Sequence, residues 1–239
     1  ADICQSMKDL KVSPTTAIVL AVLTTVTTVA SAATVDLAYS SFDVDQDGWR
    51  SRDALNGTIS YFPVDWNASG GMPTGHIEFA DITQGGYVFE APTQFTGDFS
   101  MATGIGGVSF DWMADMIQDG KRASVIFTSN AVRLWAGSNP DPAPGMWHSF
   151  NFNFDANAGW KVDFGQGAGA QAATISDIGL VLGNVTGMDI TGETWTGVSE
   201  TTWLDNPRIW MKDVGVPAPG ALALLGLSGL AGSRRRRSN

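Results

Sequence analysis

The chain is poor in the residues that most catalytic chemistry needs. It has one cysteine, Cys4, two histidines, His76 and His148, and four glutamates, Glu78, Glu90, Glu193 and Glu200. Cys4 precedes an expected cleavage site, so the expected mature chain has no disulfide, thiolate nucleophile or cysteine metal site. Neither histidine sits near a serine–aspartate pattern that suggests a triad, or in a metal-ligand cluster. No enzyme signature is present, although so acidic a sequence leaves open a chance pair of carboxylates about 5–10 Å apart, as a glycosidase requires. Positive charge is also scarce. Ala33–Asp213 carries 22 acidic and 8 basic residues, a formal charge of −14. Such a surface repels nucleic acid and anionic membranes and attracts cations, which excludes nucleic-acid binding.

Long apolar runs are confined to the two ends. Residues 1–32 read as an export signal with its expected start at Met7. Lys8 and Lys11 supply a positive leading region, Ala17–Val29 an apolar run, and Ala30-Ser31-Ala32 the small residues that signal peptidase accepts, with cleavage after Ala32. A transmembrane helix is the competing reading, but the run is short and the small-residue site follows it directly.

Residues 214–239 carry three signals in order. Val216-Pro217-Ala218-Pro219-Gly220 holds the backbone extended and blocks helix entry from upstream. The apolar run Ala221–Gly232 can turn helical in lipid, and Arg234, Arg235, Arg236 and Arg237 would be retained on the cytoplasmic side. A helix over Gly220–Ser233 spans about 21 Å against roughly 30 Å of hydrocarbon, which suits transient insertion better than a permanent anchor. This order of parts resembles the PEP-CTERM sorting signal of bacterial proteins handed to an exosortase and released to the surface or into exopolysaccharide. Ala218 stands where that signal most often has glutamate. The resemblance implies signal peptidase and exosortase as processing partners. It also implies transient inner-membrane anchoring in a Gram-negative-type bacterium and a final place on the cell surface or in the extracellular matrix. An ordinary single-span tail anchor is the alternative.

What lies between, residues 33–213, suits one domain with a full-sized core. Short β-branched or alternating segments recur between Gly, Pro, Asn and Asp turns: His76–Asp81, Tyr87–Ala91, Gly107–Trp112, Ser124–Thr128, Val132–Ala136, Trp147–Phe154 and Thr202–Trp210. In Trp147–Phe154, Phe150, Phe152 and Phe154 share one face, and Ser149, Asn151 and Asn153 the other. The spacing predicts an all-β fold, a single β-sandwich of jelly-roll type. Thr174–Val185 breaks the pattern: Ile175, Ile178, Leu182 and Val185 at helical spacing behind Ser176 predict one short helix capped by Ser176. Gly165–Ala173 reads as a low-complexity loop.

Several segments together resemble the laminin B (domain IV) module. Phe42-Asp43-Val44-Asp45-Gln46-Asp47-Gly48-Trp49 is similar to its opening strand and turn. The run from Tyr87 to Asp98 resembles its signature, an aromatic strand, a proline, then Phe95-Thr96-Gly97-Asp98. Gly107–Trp112, Gly159-Trp160, the helix, Ile190-Thr191-Gly192-Glu193 and Leu204-Asp205-Asn206 follow in the family's order. The resemblance covers roughly Phe42–Trp210 and implies a jelly roll like that of carbohydrate-binding modules, without catalysis. Pro207 replaces the usual aliphatic residue and predicts an edge or bulged final strand.

Two constellations carry candidate chemistry. Asp43, Asp45 and Asp47 before Gly48 look like the start of a calcium loop. The twelfth position of an EF-hand is Ala54, so a true EF-hand is not expected. A structural calcium at the sandwich edge, completed by Asp205, is one reading, and a solvated acidic turn is the other. The nine tryptophans are either core or stacking platforms for sugar rings. Trp66 and Trp195 are the candidates for ligand binding, whereas Trp49, Trp112, Trp160 and Trp210 read as core. The expected function is that of an exported, non-catalytic protein associated with polysaccharide. A glycan-active hydrolase on the same fold, or a purely structural matrix protein, are the alternatives.

Overall fold

The computed structural model describes residues 33–214, apart from 56, 84, 140 and 166–168. The predicted signal peptide, with Ala30 and Ala32, and the sorting segment with Val216, Pro217, Ala218, Pro219, Arg234, Arg235, Arg236 and Arg237 lie outside the described residues. Fourteen strands and one helix follow in chain order: β1 Thr34–Tyr39, β2 Arg50–Leu55, β3 Thr58–Pro63, β4 Asp65–Asn67, β5 His76–Ala80, β6 Gly86–Glu90, β7 Gly106–Ala114, β8 Ser124–Ser129, β9 Val132–Gly137, β10 His148–Asn153, β11 Lys161–Asp163, β12 Gln171–Ala172, α1 Ile175–Leu182, β13 Gly187–Thr191 and β14 Thr201–Lys212. Two sheets form. The first has the order β10-β7-β14-β5-β4, with β1 added on β14, and the second runs β12-β11-β9-β8-β13-β6-β2-β3. The fold is an all-β sandwich of jelly-roll type with one short helix. Among the described residues no helix is long and apolar enough to cross a membrane.

Alternation builds the core. In β7, Val108, Phe110, Trp112 and Ala114 are buried while Ser109, Asp111 and Met113 face outward. β10 matches it in register, pairing Phe150 with Phe110 and Phe152 with Val108 on the inner side, and Asn151 with Ser109 on the outer. Trp49, Trp112 and Trp160 are fully enclosed, as their sequence context predicts. Trp112 also donates its indole N–H to the Thr191 carbonyl at 2.9 Å, so its one polar atom is satisfied. Trp210 is buried differently. It pairs with Gly107 across the ladder, and a Cβ on that glycine would meet the indole ring at 2.9 Å. Its N–H reaches Asn151 Oδ1 on the outer face of the first sheet (3.1 Å).

Two local expectations change. The helix cap is Thr174, whose hydroxyl accepts from Asp177 N–H while the Asp177 carboxylate accepts from Thr174 N–H, a reciprocal capping box; Ser176 lies inside the helix. The final strand is bulged but not at an edge, because β14 sits between β7 and β5 and also carries β1. Pro207 has no N–H to give the ladder. The chain skips it with a register shift between Asp205 and Arg208 and a left-handed Asn206 (φ 50°).

Candidate functional site

The bulge at Asn206 and Pro207 shapes a groove of about 540 Å³ on the outer face of the first sheet, between β1, β7, β10 and β14. Two sets of bonded polar groups line it, beside Phe110 and Phe150. Asn206 Nδ2 donates to Asp111 Oδ2 at 2.9 Å, and Asp111 Oδ1 accepts from the Ser149 hydroxyl. Arg208 Nε donates to Ser109 Oγ at 2.9 Å, and its Nη1 lies 3.6 Å from Asp36 Oδ1. Tyr39 closes one side, 44% exposed, with its hydroxyl donating to Asn206 Oδ1 at 3.0 Å. Burial first, then the charges of Asp205, Asp43 and Asp36, raise the Tyr39 pKa above its ordinary value, so the phenol stays neutral and keeps its proton to donate. The groove therefore presents an aromatic ring beside hydroxyl, amide, carboxylate and guanidinium groups. That mixture suits neutral polyhydroxylated ligands.

A second groove, of about 560 Å³, lies on the outer face of the other sheet. Its charges are already paired: Arg52 Nε lies 2.9 Å from Glu90 Oε2, Arg52 Nη2 reaches Asp189 Oδ2 at 2.5 Å, and Arg50 also bonds Glu90. Its lining has no aromatic side chain. Burial raises Asp189 above the usual carboxylate range despite the Arg52 guanidinium.

The two tryptophans singled out from the sequence lie elsewhere. Trp66 in β4 pairs with the buried Ile77, packs half-buried against the core and donates its N–H to the Phe42 carbonyl at 2.6 Å. Trp195 sits in the loop between β13 and β14, 36% exposed. Neither lines the groove; Tyr39 does, and nothing in its local sequence distinguished it.

The acidic run divides. Asp45 Oδ1 accepts from Asp47 N–H at 2.7 Å and so closes its own turn. Asp43 is exposed and accepts from the Thr74 hydroxyl at 2.5 Å, which holds its carboxyl below the usual range. Asp205 is 1% exposed, with one oxygen taken by Met72 N–H (2.5 Å) and the other by Asn206 N–H (2.7 Å). Burial pushes it up to about 6 against those two donors, and the charges of Asp111 and Asp43 add to the rise. The fold thus brings Asp43 and Asp205 to one corner, with each of Asp205's oxygens accepting one backbone N–H.

Carboxylates converge more tightly at a different place. One oxygen each from Asp81, Glu193 and Glu200 lie within 4.8 Å of one another, and all three residues are buried. Asp81 follows β5, Glu193 follows β13 and Glu200 precedes β14. Burial first, then the Glu200 charge, push Glu193 up to about 7, with Lys121 pulling the other way. Asp81 is also raised by burial, with the neighbouring Asp53 charge adding to it. Nothing in the sequence pointed here, because the three acids are scattered over 120 positions and none stands in a ligand motif.

No family model matches the chain, and no curated protein matches it. Solved structures do resemble it. The chain is similar to the L4b domain of human laminin alpha-2, at 10% identity and a TM-score of 0.56, over 77% of this chain and 99% of that domain. It is also similar to CtCBM11, at 15% identity and a TM-score of 0.45, over 78% and 99%. A family 30 carbohydrate-binding module of a Clostridium thermocellum cellulosomal cellulase matches at 12% identity and a TM-score of 0.42, over 76% and 95%. The first of these shows the same fold, a laminin-like jelly roll.

Proposed function

We propose that this protein is an exported, non-catalytic domain that associates with polysaccharide through the groove on the first sheet. The observation that carries the reading is the outer-face network around Asn206. Tyr39, Asn206, Asp111 and Ser149 form one hydrogen-bonded chain beside a solvent-exposed ring. Sugars offer hydroxyl pairs and an apolar ring face to that kind of surface. Export and sorting complete the proposal: residues 1–32 direct the chain out, residues 33–213 fold as the binding domain, and residues 214–239 deliver it to an exosortase. Intact mass measured on material from the native host tests that part. A species starting near Ala33 and lacking Arg234–Arg237 is expected, and a mature species that retains the arginines overturns it.

The groove is tested by a glycan array probed with the wild type and with Tyr39→Ala. Losing one hydrogen-bond donor and the ring beside it is expected to weaken binding by about tenfold, the equivalent of roughly 1.4 kcal/mol. A glycan that binds both proteins equally would place recognition elsewhere on the surface. A purely structural matrix role predicts no glycan hit at all.

A further inference from the structure

The acid cluster at the end of the sandwich takes no part in that groove. Asp81, Glu193 and Glu200 are 2%, 8% and 1% exposed. Each spends one oxygen on the protein. Asp81 Oδ1 accepts from Thr83 N–H (2.8 Å), and Glu200 Oε1 accepts from the N–H groups of Thr194 (3.0 Å) and Trp195 (3.3 Å). Glu193 Oε1 lies 3.9 Å from Lys121 Nζ. The other oxygen of each, Asp81 Oδ2, Glu193 Oε2 and Glu200 Oε2, is buried with no hydrogen-bond partner, and so is the fully enclosed Thr194 hydroxyl.

Orphaned carboxylate oxygens are costly to bury, and three in one place are costlier because the charges repel. Lys121 neutralises at most one of the three, and Asp53, also buried, adds a fourth acid nearby. A multivalent cation is the group that satisfies all three free oxygens together. Two oxygens on one calcium ion stand at most twice the metal–oxygen distance apart, about 4.6–5.2 Å. One carboxylate oxygen from each of the three residues lies within 4.8 Å of the others, inside that limit. Hard oxygen donors without nitrogen or sulfur select ions of the calcium and magnesium class over zinc.

We propose that Asp81, Glu193 and Glu200 bind a divalent, oxygen-preferring cation, of which calcium is the type. The ion would tie the turn after β5 to the loop between β13 and β14. That loop carries Trp195 and is held from its other side by Gln118 N–H on the Thr194 carbonyl (2.9 Å). The site lies apart from Asp43, Asp45, Asp47 and Asp205, and shares no residue with the sugar groove.

The experiment is a thermal melt of the full chain in chelator and in millimolar calcium, with terbium luminescence excited through the tryptophans as an independent measure of binding. The wild-type midpoint is expected to rise by several degrees in calcium, as for any ligand that binds only the folded state. Glu193→Gln and Glu200→Gln are expected to lose both the rise and the terbium signal, and Asp205→Asn to keep both. In chelator the two glutamine variants should melt no lower than the wild type, since each removes a repelling charge and the amide oxygen at position 200 still accepts from Thr194 and Trp195 N–H. That comparison separates a lost ion from a lost fold. A wild-type midpoint indifferent to calcium, with no terbium signal, overturns the proposal in favour of a proton shared between Glu193 and Glu200. A rise that survives in both glutamine variants also overturns it.

Discussion

The two acidic regions of this domain differ in what the chain does with its oxygens. At the Asp43–Asp205 corner, four aspartates draw the eye in sequence, yet Asp43, Asp45 and Asp205 accept hydrogen bonds from the protein itself. At the Asp81–Glu193–Glu200 end the acids are dispersed in sequence and deeply buried, and each keeps one oxygen free. Asp43 and Asp45 also use one oxygen each, but their unused oxygens stand in solvent, whereas those of the second region are buried. Charge density along the sequence does not show which acids are buried with an oxygen unused. The number of buried acceptors that the protein leaves unused shows only in the folded topology.

Breaking the first region should have the largest effect, and for a reason that involves no metal. Asp205→Ala removes the acceptor of two backbone N–H groups, those of Met72 and Asn206, under a side chain that is 1% exposed. Each donor left unsatisfied costs about 1–3 kcal/mol, so a loss of about 3 kcal/mol in a urea titration is expected. The same substitution should loosen the bulge that shapes the groove, because Asn206 loses its local anchor while it still has to serve Tyr39 and Asp111. An Asp205→Ala variant as stable as the wild type would show that these contacts are replaceable by water. Glu193→Gln sharpens the comparison from the other side. In chelator it should be neutral or mildly stabilising, the opposite sign to Asp205→Ala, because it removes a repelling charge without stripping a backbone donor of its partner.

Much of the fold was legible beforehand, and what was missed has physical causes. The aromatic alternation of β10 and the apolar alternation of β8 and β9 bury one face each, so a period of two shows in the sequence. β2 does not read as a strand because its inward positions are Ser51 and Asp53, polar residues facing the core and enclosed by neighbouring strands. β11 and β12 are too short, at 3 and 2 residues, for any period to appear. The helix was visible from Ile178 and Leu182, but its cap went to Thr174 because Asp177 completes a reciprocal pair with that residue and not with Ser176. The groove was hidden for a different reason. Tyr39, Asp111, Ser149 and Asn206 come from four strands, and a β-sheet brings them together only once its register is set.

The smallest expected effect is at the turn that first suggested calcium. Asp45 is exposed, and its one protein contact is the acceptor role toward Asp47 N–H two residues on. Asp47 N–H can turn to water when that acceptor is removed, so Asp45→Ala should cost no more than about 0.5 kcal/mol, the range of ordinary surface changes. Like charges at this spacing do repel, but Asp43 and Asp45 stand in solvent, where the high dielectric keeps the repulsion small. If the calcium-dependent rise comes from the buried acids, Asp45→Ala should melt with the same rise as the wild type. A rise that disappears in Asp45→Ala while surviving in Glu200→Gln would reverse the two regions: the ion would then belong to the exposed turn, and the buried carboxylates would hold a proton instead.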